Sequence, residues 1–227
     1  MVAVIGHPAA HAATATREVR IGPLHLAGDL NLPAGATGLV VFAHGSGSSR
    51  LSPRNRVVAE ALNRQGIATL LFDLLTEEEE SYRANVFDIA LLAGRLVDVV
   101  GWIDGQNALK ALPLGLFGAS TGAAAALVAA ARLGARITAV VSRGGRPDLA
   151  GDALPHVRAP TLLIVGGLDY GVIELNEEAF AQLQAPKALE IVPGATHLFP
   201  EPGKMEAVIA LAARWFRQHL AARGRAG

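Results

Sequence analysis

The chain has 227 residues, 51% of them hydrophobic and 18% charged, with 20 basic side chains against 20 acidic ones and no cysteine. That length suits one domain with a substantial buried core, and the charge balance offers no field for nucleic acid or an anionic membrane surface. The missing cysteine excludes disulfides, thiolate metal sites and a cysteine nucleophile.

The opening MVAVIGHPAAHAATATREVR lacks the basic start and apolar core of a secretory signal. No apolar run approaches the roughly 18 residues of a membrane span. A cytoplasmic protein is expected, a single domain over 1–227 with residues 1–15 as a loose leading segment. REVRI and LHLAGDLNLP alternate as two strands at a sheet edge. From Gly38, LVVFA reads as a buried strand entering the loop HGSGSSR, and Ser52-Pro53 opens a helix that ends near Gly66.

IATLLFDLL, Ile67 to Leu75, is the next apolar strand, and TEEEE begins a solvated helical face. Ile89, Leu92, Leu96, Val99 and Ile103 then recur at spacings of three and four, one apolar stripe of a helix that stops near Gly105. PLGLFGASTGAAAAL is a strand, a tight turn and an alanine-rich helix. ITAVVSRGG is followed by a short loop containing DLAGDAL, the strand APTLLIVGGLDYG, a helix around Leu175 to Leu183, the strand ALEIVPGATHLF, and a last helix carrying Met205, Val208, Ile209, Ala212, Trp215 and Phe216.

Strands that alternate with helices imply a mainly parallel sheet, whose post-strand loops gather at one end. Three of those loops hold a possible acyl-transfer set. Ser120 sits in G-A-S-T-G, where glycines two before and two after permit a sharp strand-to-helix reversal. Asp169 follows a later strand and His197 the last one, giving nucleophile, orienting carboxylate and base in the order Ser, Asp, His. The oxyanion is expected to meet the backbone N–H groups of Thr121 and of Ser46 in His44-Gly45-Ser46-Gly47. His44 reads as a support for that loop rather than a second base. GSGSS lacks the lysine of a phosphate-binding P-loop and the glycine spacing of a dinucleotide site. No H-E-x-x-H or other ligand spacing marks a metal, so neither metal nor cofactor is expected.

The motifs FAHGSGSSRLSPRNR, GLFGASTG, LLIVGGLD and VPGATHLF, in that order, resemble the dienelactone hydrolase-like branch of the α/β-hydrolases from about Gly38 to Leu220. The resemblance implies a compact eight-stranded α/β-hydrolase core with helices on both faces and no large cap domain, acting on esters or lactones. It also supports Ser120, Asp169 and His197 as a triad. Dienelactone hydrolases proper place a cysteine in the elbow, and here the residue is Ser120. A serine carboxylesterase acting on a small-molecule ester is therefore the expectation.

A slow or non-catalytic binding protein of the same fold, and an acyltransferase, stand as alternatives. Short loops predict a shallow pocket and short acyl chains, with Arg50, Leu74, Arg143 and Phe199 as candidate lining residues and Leu75 and Phe87 as possible walls of a groove. Arg143 and Arg146 can each face an anionic substrate group, or pair with Asp148, or lie in solvent.

Overall fold

In the computed structural model, residues 16–220 are described, so the expected loose segment 1–15 lies outside the described residues. The strands are β1 (Arg17–Ile21), β2 (Leu26–Asn31), β3 (Leu39–Ala43), β4 (Ala68–Phe72), β5 (Leu114–Ala119), β6 (Ile137–Arg143), β7 (Thr161–Gly166) and β8 (Lys187–Val192). They form one sheet in the order β1-β2-β4-β3-β5-β6-β7-β8. β1, β2 and β4 pair antiparallel, and every pairing from β4 through β3 to β8 is parallel.

Helices cover both faces, which is why β3 through β7 are buried at every residue. On one face lie α4 (Ile89–Asp104), α5 (Thr121–Leu133) and α6 (Tyr170–Gln182). On the other lie α1 (Pro53–Asn63) and α7 (Lys204–Leu220). The stripe expected on α4 is the side that packs: Leu92, Leu96, Val99 and Ile103 are buried, each such side chain stabilising the fold by about 1.5–3 kcal/mol relative to exposure. Two short helices, α2 (Glu77–Ser81) and α3 (Arg83–Val86), follow β4. Between β6 and β7 there is only a 3-10 segment, Pro147–His156, kinked at Gly151, and no cap domain is inserted among the described residues.

Two boundaries differ from the sequence reading. The strand expected to run to Leu75 ends at Phe72, because Asp73 accepts the Arg50 N–H and guanidinium at 2.8 and 2.7 Å, and the Leu74 N–H goes to His44 Nε2 at 3.1 Å. The helix expected around Leu175 begins at Tyr170, with the Val172 and Ile173 N–H groups closing on the Asp169 carbonyl. Its first turn therefore starts directly behind Asp169.

β3 lies between β4 and β5, so successive strands depart to opposite sides of it and the loops after β3 and β5 meet where the order reverses. The β5–α5 turn is tight enough to tolerate glycine alone at two positions. A Cβ on Gly118 would fall 2.4 Å from Ala123 Cα, and one on Gly122 2.3 Å from the Ala43 carbonyl oxygen. The β3 loop is tied to the β4 loop by His44. Because the Leu74 N–H can only donate, His44 Nε2 accepts, and Nδ1 carries the proton that it gives to the Gly45 carbonyl at 3.1 Å. Burial holds the His44 pKa below the ordinary histidine value.

Two stability outcomes follow from these contacts. Gly122→Ala should lower the thermal midpoint by about 5–10 °C, since the methyl overlaps backbone and forces a shift; a midpoint equal to that of the wild type would contradict the close approach. For His44, the unfolded chain binds the extra proton between the depressed folded value and the ordinary value of about 6.5. Stability should thus fall as pH drops through that window, and a His44→Gln variant, which cannot titrate, should show a flatter dependence there; parallel curves would contradict the neutral, buried assignment.

Candidate active site

Ser120 caps α5 with φ 51° and ψ −124°, a conformation that a residue with a Cβ adopts only when its surroundings enforce it. The enforcement is visible in its backbone bonds. Its N–H donates to the Arg143 carbonyl at 3.3 Å, while its carbonyl accepts from the Ala123 and Arg146 N–H groups, both at 3.1 Å. The side chain is thereby presented above the carboxyl ends of the strands, half-buried. Gly45 lies against it: a Cβ there would come within 2.9 Å of Ser120 Cβ and 3.7 Å of its Oγ.

His197 and Asp169 come from the loops after β8 and β7, which are joined by Gly167 N–H to the Val192 carbonyl at 2.8 Å and Leu168 N–H to the Ala195 carbonyl at 2.9 Å. His197 Nδ1 lies 2.7 Å from Asp169 Oδ2. A carboxylate can only accept, so Nδ1 carries the proton and Nε2 is left as the basic nitrogen. The two side chains are 38% and 18% exposed, which leaves the imidazole reachable and its partner sheltered. The histidine loop is further fixed by Glu201, whose carboxylate accepts from the Thr196 N–H and, at 2.6 Å, from its hydroxyl. Gly144, at φ 50°, brings the β6 loop under this histidine; a Cβ there would sit 2.9 Å from the His197 carbonyl oxygen and 3.6 Å from Nδ1. Ser120 is bonded to Arg143, and His197 rests on the next residue, so one short backbone segment carries both.

The two expected oxyanion donors are also adjacent. Thr121 opens α5, where helical N–H groups lack intrahelical acceptors and the dipole is positive. The Ser46 N–H donates to Thr121 Oγ1 at 3.0 Å. Sequence reasoning assigned Thr121 only a backbone role and missed this tether, which holds the β3 loop to the turn that carries Ser120.

The candidate lining residues divide into two groups. Arg50 and Leu74 border a cleft of about 220 Å³ beside the Ser46 loop, together with Leu75 and Val86, and Glu77 and Glu80 also line it. The Arg50 guanidinium is engaged by Asp73 at 2.7 Å and Asp29 at 3.5 Å. Phe199 is not a wall: it is 1% exposed and packs in the α1/α7 core beneath the histidine loop. Its left-handed backbone, φ 56°, turns the ring inward, a feature that no spacing rule reveals. Arg143 neither pairs with Asp148 nor reaches solvent; it is 6% exposed. Arg146 holds Asp148 through two bonds of 2.9 and 2.7 Å. Phe87 is exposed and does not border the cleft. Among the described residues no group of three or more His, Asp or Glu side chains is placed to hold a metal ion, and no helix is long and apolar enough to cross a membrane.

Comparison with known proteins accords with this architecture. The crystal structure of a dienelactone hydrolase from Anabaena variabilis superposes with a TM-score of 0.87 at 57% identity, covering 91% of this chain and 98% of that one. An α/β serine hydrolase without a lid from Xanthomonas campestris shares the fold, with a TM-score of 0.73 at 22% identity over 95% of this chain and 99% of that one. A curated Mycobacterium tuberculosis protein, provisionally named a phosphoribosyl transferase, is 61% identical over 210 residues, which are 92% of this chain and 47% of that protein. The chain thus spans about half the length of the curated relatives it matches. The model of the dienelactone hydrolase family matches residues 26–221, and with that coverage the chain belongs to the dienelactone hydrolase family.

Proposed function

We propose that the chain is a serine hydrolase of small carboxylic esters, lactones included, working through an acyl-enzyme on Ser120. The observation that carries this reading is the 2.7 Å bond between His197 Nδ1 and Asp169, made on the loops that flank the strained Ser120 turn. That bond leaves Nε2 free to take a proton. In the first step His197 Nε2 accepts the Ser120 hydroxyl proton as Oγ attacks the ester carbonyl, and Asp169 stabilises the imidazolium. The oxyanion takes the Thr121 N–H and the Ser46 N–H, the latter exchanging Thr121 Oγ1 for the substrate oxygen. As the carbon–oxygen bond to the alcohol breaks, Nε2 returns the proton to the leaving oxygen. Water then repeats the sequence on the acyl-enzyme and releases the acid. The transferase name belongs to a protein of which the match covers 47%, and the Ser120 site by itself favours hydrolysis.

Ser120→Ala should fold as the wild type does and lose p-nitrophenyl acetate hydrolysis by on the order of a millionfold in kcat. A variant that keeps about a tenth of wild-type kcat would remove Ser120 as nucleophile and favour a binding role for the fold. The cleft of about 220 Å³ reaches the oxyanion loop at Ser46 but is not lined by Ser120 or His197, and it is smaller than the roughly 300–1,000 Å³ typical of ligand pockets, so kcat/KM on p-nitrophenyl esters should peak at short acyl chains. A steady climb from acetate to dodecanoate would contradict that.

A further inference from the structure

Arg143 stands out among the charged groups near Ser120. It ends β6, one residue before the Gly144 that underlies His197, and its carbonyl accepts the Ser120 N–H. The side chain is 6% exposed. Its Nη2 lies 3.4 Å from Asn55 Oδ1, while Nε and Nη1 are buried without a hydrogen-bond partner. No carboxylate pairs with it among the described residues, whereas Arg50 and Arg146 each hold an aspartate. Burial pushes the guanidinium down to about 10, and the neighbouring Arg54 adds repulsion.

Buried donors are almost always satisfied, and an unpaired buried cation costs several kcal/mol. The surroundings add positive potential. Asn55 and Arg54 lie in the first turn of α1, an 11-residue helix capped by Ser52, whose N-terminal end attracts anions. The exposed Arg54 guanidinium and the positive end of α1 thus add to the buried Arg143, and no carboxylate pairs with Arg143 among the described residues. A single carboxylate would leave that pair undercompensated. A phosphate monoester brings about −1.5 to −2 charges and three acceptor oxygens, and it suits the planar donor fork of arginine.

We propose that Arg143, Arg54 and the first turn of α1 form a subsite for a phosphate monoester group carried by the ester substrate. This rests on the hydrolase reading above and adds the substrate class. The subsite and the cleft share one connection: the cleft is lined as far as Leu51 and α1 begins at Pro53, while Arg143 reaches that turn from the end of β6. The phosphorylated arm of the ester lies over β6, and the short, uncharged arm occupies the cleft.

The test compares kcat/KM on three matched substrates, the monoacetyl esters of glycerol 3-phosphate, of glycerate and of glycerol, with calorimetry of glycerol 3-phosphate binding to the Ser120→Ala protein. The phosphorylated ester should exceed the glycerol ester by on the order of thirtyfold, as for hydrogen bonds to a charged group, with the glycerate ester nearer to glycerol. Arg143→Met should bring that ratio close to one, and Arg143→Lys should restore part of it. If Arg143→Met does not fold, Arg54→Gln reads the same ratio and should lower it. A wild-type ratio near one, an equal preference for glycerate, or an equal loss on all three esters in the variants would overturn the subsite. Binding of glycerol 3-phosphate that depends on Arg143, without turnover of any ester, would retain the subsite and overturn the hydrolase reading. Equal turnover of all three without binding would do the reverse.

Discussion

The conformation of Ser120 is the constraint on which the site depends. A serine at φ 51° and ψ −124° is held only because the chain on both sides gives it no alternative. Gly118 lets α5 pack onto the end of β5, and Gly122 lets the same helix approach the Ala43 carbonyl. The Ser120 peptide groups are bonded to Arg143, Ala123 and Arg146. Local strain of this kind amounts to about 1–3 kcal/mol, and the packed sheet on which the turn sits offsets it. In the hydrolase proposed above, such a turn would hold the hydroxyl in place before a substrate arrives and leave little orientation to be acquired in the reaction.

The other partners are arranged around that turn by bonds in which a backbone group takes part on at least one side. The β3 loop is joined to it through Ser46 and Thr121, and to the β4 loop through His44. The β7 and β8 loops are zipped together before His197 and Asp169 meet, and Gly144 sets the histidine loop on the segment that also holds Ser120. The resulting surroundings are electrically uneven. On the cleft side, Asp73 and Asp29 balance Arg50 and two glutamates line the opening. At the end of β6, the buried Arg143 guanidinium stands without a carboxylate partner among the described residues, while Arg146 after it holds Asp148.

Most of the fold was legible because buried parallel strands are continuous apolar runs and the covering helices carry regular stripes. LVVFA, LGLFGA and TLLIVG became β3, β5 and β7. Candidate site residues were legible where chemistry demands a residue type at a strand end, as with Ser120, Asp169 and His197. Features set by tertiary contacts were not. β4 ends early because Asp73 and Leu74 bond to the β3 loop, and α6 starts early because its first turn closes on Asp169. Neither contact has a local signal. Phe199 is a candidate pocket residue by its place beside His197, but at φ 56° it lies in the core. Arg143 could be placed at the end of a strand, and only packing reveals that it is enclosed and unpaired.

We hold Ser120 to be an activated nucleophile oriented by His197 and Asp169. The most direct test is reaction of the folded protein with a fluorophosphonate probe, followed by intact mass and peptide mapping. One adduct per chain is expected, located on Ser120, with the labelling rate falling sharply in His197→Ala. An unlabelled protein, or a label on another residue at an undiminished rate in that variant, would contradict this role for Ser120.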